Sequence, residues 1–202
     1  MPAQGGVTVE PHFPRLHVVT DSLPIVAAVL DVSSDVAIQV RVEDDVTDRA
    51  AFALVGRVLE LCRPRGVMCL VNDRLDVAVA AGADGAHVGA DDLPPAAARL
   101  VLGPDAVLGV TCRAPAVIPE ATYVGAGPAY PTSTKDGLPD PIGVSGVAAV
   151  AATAGVPVIA IAGVTPERVP ELLAAGAHGV AAIGAIARDP AGATADFLTA
   201  LS

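Results

Sequence analysis

The chain has 202 residues, 52% hydrophobic and 17% charged, with a formal net charge of −10. That length suits one domain with a sizeable core, and the acidic balance, with neither Lys nor Arg clustered, argues against nucleic acid or an anionic membrane as partner. Aromatic residues make up only 2%, with no Trp, so the core must be Ala, Val, Leu and Ile, as in parallel sheets covered by helices.

Leu16 to Thr20 is a short apolar strand ending at Asp21, and a short helix follows near Pro24 to Leu30. Val36 to Val40 is the second strand. Thr47 to Cys62 has a helical pattern with Thr47 or Asp48 as N-cap. Gly66 to Val71 is the third strand, stopped by Asn72-Asp73, and Leu75 to Ala81 is a helix closed by Gly82. Gly85 to Val88, Val107 to Val110 and Thr122 to Ala126 are strands four to six. Between the first two of these lies the helix Pro94 to Leu102, with proline in its first turn. A weak segment broken by Pro115 and Pro119 precedes strand six. A long irregular loop reaches Ile142, followed by a helix over Val144 to Ala154. Strand seven is Pro157 to Ile161, with a helix over Pro166 to Ala175; strand eight is Gly179 to Ile183, and a helix from Pro190 closes the chain.

Residues 1–14 read as a loose tail before one domain spanning 15–202. The N-terminus has no apolar signal core, and no apolar run approaches a membrane span. Cys62, Cys69 and Cys112 form no Cys-x-x-Cys pair and are odd in number, which fits a reducing cytoplasm. Eight strands, each followed by a helix or helical remnant, predict an α/β fold of the (β/α)8 barrel type, with a doubly wound open sheet as the alternative. An internal echo favours the barrel. Ala80-Ala81-Gly82-Ala83-Asp84-Gly85 recurs as Ala174-Ala175-Gly176-Ala177-His178-Gly179, at strands four and eight, half a barrel apart.

In a barrel the chemistry sits at the C-terminal ends of the strands. Those ends carry Gln39 and Arg41, Asn72 and Asp73, Asp91 and Asp92, Thr111, the loop Thr132-Ser133-Thr134-Lys135, Gly163 and Thr165, and Gly184. The hydroxyls and ammonium of the loop after strand six suit phosphate oxygens, although a solvated Ser/Thr turn has the same composition. Asp73 and Asp92, from neighbouring strands, can converge on one hard cation such as Mg2+ beside a phosphate, or can each cap the helix that follows. Gly163 and Gly184 allow a phosphate close to the backbone and a helix N-terminus; a tight turn is the plain alternative. Arg41 ends an apolar strand and needs a partner: an anionic ligand, Glu43 or Asp44. The histidines have no ligand spacing and read as structural or tail residues. No nucleophilic triad or Walker-type loop is present.

Several of these stretches together resemble the thiamine-phosphate synthase family. They are Gln39-Val40-Arg41, Val71-Asn72-Asp73-Arg74, His87-Val88-Gly89-Ala90-Asp91-Asp92-Leu93-Pro94, Leu108-Gly109-Val110-Thr111 and Gly125-Ala126-Gly127-Pro128-Ala129-Tyr130-Pro131-Thr132-Ser133-Thr134-Lys135. The resemblance continues through Ala160-Ile161-Ala162-Gly163-Val164-Thr165 to Ala182-Ile183-Gly184-Ala185-Ile186.

It implies a Mg2+-dependent transferase that joins hydroxymethylpyrimidine diphosphate to thiazole phosphate, giving thiamine phosphate and pyrophosphate. Gln39, Arg41, Asn72 and Lys135 would hold the diphosphate, with Thr111 near the pyrophosphate. Asp73 and Asp92 would hold Mg2+. Thr132, Ser133, Thr134, Gly163, Ile183 and Gly184 would hold the thiazole phosphate. Arg41, Lys135 and Thr111 would carry the catalytic roles. The partners are then small phosphorylated substrates, and a homo-oligomer is compatible with a barrel of this size. Three positions depart from the family pattern: Glu43 stands for a common lysine, Ala90 for a glutamine and Arg113 for a frequent histidine. The thiazole tautomerases share the fold and give the alternative enzyme. A barrel that binds a phosphate ligand without turnover is the alternative outside catalysis.

Overall fold

The computed structural model describes residues 13–43, 45–132 and 139–202. Along them run β1 (Leu16–Thr20), α1 (Leu23–Val32), β2 (Ala37–Val40), α2 (Asp48–Cys62), β3 (Met68–Asn72), α3 (Leu75–Ala81), β4 (Gly85–Val88), α4 (Pro95–Leu102) and β5 (Val107–Cys112). Then come β6 (Tyr123–Ala126), α5 (Gly143–Ala151), β7 (Val158–Ile161), α6 (Val169–Ala174), β8 (Gly179–Ala182), α7 (Gly184–Arg188) and α8 (Pro190–Leu201). Every strand pairs in parallel with its sequence neighbours, and β8 pairs with β1 through Leu16↔Val180 and Val18↔Ala182. That last pairing closes a (β/α)8 barrel and excludes the open sheet.

The strands alternate between two apolar layers. Outward-facing Val18, Ile38, Val40, Cys69, Val71, Ala86, Val88, Leu108 and Val124 pack under the helices. Inward-facing Val19, Leu70, Tyr123, Ile159 and Ala181 fill the barrel. Two of the chain's five Phe and Tyr rings, Phe13 and Tyr123, gather at the closed bottom with His17. Phe13 packs at 5.3 Å on Tyr123 and 5.5 Å on His17, and His17 meets Tyr123 at 5.0 Å. The remainder of the 1–14 tail, apart from Pro14, lies outside the described residues.

The repeated Ala-Ala-Gly segment has a physical reason. At the start of β4 a Cβ on Gly85 would sit 1.9 Å from the Val107 carbonyl oxygen, and at the start of β8 one on Gly179 would sit 2.1 Å from that of Arg15. Both strands enter the barrel by passing the next strand's backbone too closely for any side chain.

Local elements sharpen or differ from the sequence reading. The segment between β5 and β6 forms no helix among the described residues. β5 runs two residues further than expected, so Thr111 is inside the strand. The first helix spans Leu23–Val32, ten residues, and so extends past both ends of the Pro24 to Leu30 segment expected. The one-turn helix α7 starts directly after β8 at Gly184, where the sequence reading put a helix N-terminus without giving the helix a range. Thr47, rather than Asp48, caps α2, its Oγ1 accepting the Ala50 N–H at 3.3 Å.

Candidate functional site

A cavity of about 840 Å³ opens where the strands end. Its wall takes Gln39 and Arg41 from the end of β2, Asn72 and Asp73 from β3, and Gly89, Ala90 and Asp91 from the loop after β4. Thr111 and Arg113 come from β5, Thr132 from the loop after β6, and Gly163, Thr165 and Arg168 from the turn after β7. Ile183, Gly184 and Arg188 close the ring. Asp92 stands behind this lining, near enough that its charge acts on His87. Ser133, Thr134 and Lys135 lie outside the described residues.

The charge of the wall opposes that of the chain. Four arginines (Arg41, Arg113, Arg168, Arg188) face two aspartates (Asp73, Asp91) among its described residues, on a chain with formal net charge −10. A concave, partly desolvated wall focuses such a local excess and draws anions toward it.

On the β2–β3 side, the buried Gln39 donates from Nε2 to Asn72 Oδ1 at 2.7 Å. This bond locks two amides together and leaves the Asn72 NH2 and the Gln39 carbonyl for the cavity. Asp73 has φ +60°, a left-handed conformation that Asp adopts more readily than most residues, and its N–H donates to the His87 carbonyl at 2.8 Å. Neither aspartate is at the N-cap position it was offered. Those positions belong to Arg74 and Pro94, without side-chain capping bonds. Asp92 instead closes the β4 loop, its Oδ2 accepting the Gly89 N–H at 2.6 Å.

The cations are held differently from one another. Arg41 has Glu43 at 3.5 Å, one of the three partners the sequence offered; Asp44 lies outside the described residues. Arg113 donates from Nη2 to the Asp140 carbonyl at 2.9 Å, tying β5 to the far end of the long loop. Arg168 donates to the Gly163 carbonyl and lies 4.2 Å above the Tyr130 ring.

The loop after β6 and the turn after β7 form one unit. Ala129 N–H donates to the Ile161 carbonyl at 2.8 Å, and Tyr130 N–H to that of Ala162 at 3.1 Å. Ala162 and Gly163 then both take positive φ, +73° and +65°. A Cβ on Gly163 would lie 2.8 Å from both the Pro131 carbonyl oxygen and the Tyr130 Cβ. Glycine there is required by conformation and by space, and it leaves the backbone bare toward the cavity. Gly184 opens α7 on the adjacent wall.

His87, read from the sequence as structural, lines the cavity floor. Its Nδ1 lies 3.0 Å from Tyr123 Oη and its Nε2 3.1 Å from Thr111 Oγ1. Burial lowers its pKa to about 4, only partly offset by the Asp92 charge, so the ring is neutral at ordinary pH. Burial likewise raises the Tyr123 pKa. The signal that finds His87 is the two-residue period of β4: Gly85 and His87 share the inward face, and His87 is nearer the open end. Arg168 and Arg188 carried no comparable signal, because both lie beyond strand ends in segments whose facing depends on the turn before them.

The family model for thiamine monophosphate synthase matches residues 15–186. A thiamine-phosphate synthase of Salinispora arenicola is 55% identical over 202 positions, covering 93% of this chain and 97% of its own. One of Haloquadratum walsbyi is 43% identical, covering 84% of this chain and 79% of its own. Among solved structures, a thiamine phosphate pyrophosphorylase from Pyrococcus furiosus superposes with a TM-score of 0.80 at 28% identity, covering 93% and 95% of the two chains. A 3-hexulose-6-phosphate synthase, at 19% identity and a TM-score of 0.64, shares the fold.

Proposed function

The chain belongs to the thiamine monophosphate synthase family, and from that premise we propose that it is a transferase joining hydroxymethylpyrimidine diphosphate to thiazole phosphate. The products are thiamine phosphate and pyrophosphate. The observation that carries this reading is the arginine-rich cavity in an acidic chain, with the bare backbone turn at Ala162-Gly163 on one side and the Gln39–Asn72 amide pair on the other. Two anionic substrates need two such walls.

The residues divide accordingly. Gln39, Arg41, Asn72, Thr111 and Lys135 take the diphosphate. Thr132, Ser133, Thr134, Gly163, Ile183 and Gly184 take the thiazole phosphate, with glycine backbone and the start of α7 beside it, as is usual after the seventh and eighth strands of such barrels. The carbon–oxygen bond to the diphosphate breaks and its electron pair leaves with pyrophosphate. Arg41 and Lys135 offset the charge that develops there. The lone pair of the thiazole nitrogen forms the new carbon–nitrogen bond, so holding the two substrates in contact supplies much of the rate. No protein nucleophile is required.

Asp73 and Asp92 are the residues that would hold Mg2+. Among the described residues no three of His, Cys, Asp and Glu gather into a ready metal cage. Mg2+ is usually held by one or two carboxylates with water and substrate phosphate completing the shell. Asp73 lines the cavity, and Asp92 stands behind that lining with one oxygen accepting the Gly89 N–H. Bound there, the ion would neutralise diphosphate charge. The reading also places the work in the cytoplasm, on small phosphorylated substrates.

The test is direct: both substrates and Mg2+ are mixed with the protein, and thiamine phosphate is measured. Lys135→Ala should lose most of the activity. Absence of product from the unaltered chain sinks the synthase assignment, and full activity in Lys135→Ala sinks the role given to the loop.

A further inference from the structure

Three side chains run in a line from the closed bottom of the barrel to the cavity floor. Tyr123 points inward and is 1% exposed. Its hydroxyl meets His87 Nδ1, His87 Nε2 meets Thr111 Oγ1, and Thr111 lines the cavity. The register builds this line. His87 and Tyr123 each lie opposite Gly109, and Thr111 lies opposite Gly125. A Cβ on Gly109 would fall 2.4 Å from both Tyr123 Oη and His87 Nδ1. The missing side chain is therefore the space that the hydrogen bond occupies.

The direction of the chain is set at its buried end. A phenolic O–H shut away from water must find an acceptor, because leaving a buried donor unmade is costly. Among the described residues the Tyr123 hydroxyl has His87 Nδ1 as its hydrogen-bond partner and no other. Nδ1 must then accept. An imidazole whose Nδ1 is bare carries its hydrogen on Nε2, and that N–H donates to Thr111 Oγ1. With its oxygen already accepting, Thr111 turns its own hydrogen toward the cavity. In the reverse arrangement Thr111 would donate to Nε2 and Nδ1–H to Tyr123. The tyrosine hydrogen would then have no acceptor, and Thr111 would show a phosphate only lone pairs.

The geometry points to Tyr123 and His87 as positioning residues that fix Thr111 as a hydrogen-bond donor to an anion, namely the substrate diphosphate and the departing pyrophosphate. This rests on the function proposed above, but its tests need no turnover. Tyr123→Phe keeps the ring that packs on Phe13 and His17 and removes only the hydroxyl.

Nitrogen NMR of the full chain labelled in histidine reads the tautomer of His87. A bare Nδ1 with a protonated Nε2 is expected, and loss of that bias in Tyr123→Phe; the opposite tautomer in the unaltered protein overturns the proposal. Binding of inorganic pyrophosphate with Mg2+, followed by calorimetry, reads the consequence. Thr111→Val should weaken it about tenfold and Tyr123→Phe about threefold. In the Thr111→Val background the tyrosine substitution should cost nothing more. Additive losses, or no loss in Tyr123→Phe, would show that the tyrosine does not act through Thr111. Failure to form thiamine phosphate from the two substrates would strike the synthase reading alone.

Discussion

Arg41 and Glu43 stand 3.5 Å apart at the mouth of the cavity, and of the two only Arg41 lines it. The pair is lopsided, with the arginine side chain 23% exposed and the glutamate 68%. Such a contact contributes little to folding, on the order of 0–1 kcal/mol. On the proposed role of Arg41 its effect would fall on the ligand, because a carboxylate beside Arg41 would compete with the diphosphate for the same guanidinium.

Glu43→Gln should therefore leave stability within about 0.5 kcal/mol and tighten pyrophosphate binding about two- to fivefold at low ionic strength. Glu43→Lys should tighten it further, and both gains should shrink as salt is added. Calorimetric titration at two salt concentrations checks this. Unchanged affinity would mean that the glutamate charge is spent on solvent.

Gly163 and Gly155 separate strain from space. Both have positive φ, +65° and +68°, but nothing lies within 4 Å of a Cβ on Gly155, whereas one on Gly163 meets the loop after β6. Gly155→Ala should cost about 1–2 kcal/mol, the left-handed penalty alone. Gly163→Ala should cost about 1–3 kcal/mol more through overpacking and should also weaken thiazole phosphate binding. Denaturant unfolding of the two variants makes the comparison; equal losses would remove the steric argument.

His17 is fully buried under Phe13 and Tyr123, and neither ring nitrogen meets a partner at hydrogen-bond geometry. Burial lowers its pKa to about 3, reinforced by the charge of His87 and opposed by the Pro14 backbone. Below its ordinary pKa of about 6.5 the unfolded chain takes up a proton here that the folded chain refuses. The resulting stability is present above about 6.5 and falls at about 1.4 kcal/mol per pH unit as the pH drops toward 3. His17→Phe should remove that slope and stabilise the neutral protein by about 1 kcal/mol. Unfolding curves from pH 4 to about pH 7 test it; an identical slope in the variant would refute it.

Asp73 is suited to a conservative replacement, since Asn tolerates the same left-handed backbone at φ +60°. On the proposed role of Asp73 as a Mg2+ ligand, Asp73→Asn should lower the rate of thiamine phosphate formation on the order of a hundredfold. A chelator added to the unaltered protein should act in the same direction. Activity that survives both treatments would take the cation out of the reaction.

Local patterning determined much of this protein. Val- and Ala-rich strands separated by amphipathic helices, the half-barrel echo at Gly85 and Gly179, and polar residues or glycines at or just past the strand ends placed Gln39, Arg41, Asn72, Asp73, Thr111, Gly163 and Gly184 on one rim. These follow from periodicity, which each strand carries in its own residues. Only the closed barrel decided the rest. Which of its offered partners Arg41 meets, and that Asp92 closes a turn at Gly89, depends on loop geometry no period encodes. Arg168 and Arg188 join the wall because two turns aim them there. His87 became part of the site only when Gly109 and Tyr123 were brought beside it on neighbouring strands. A hydrogen bond across three strands is a property of register, and register is fixed when β8 returns to β1.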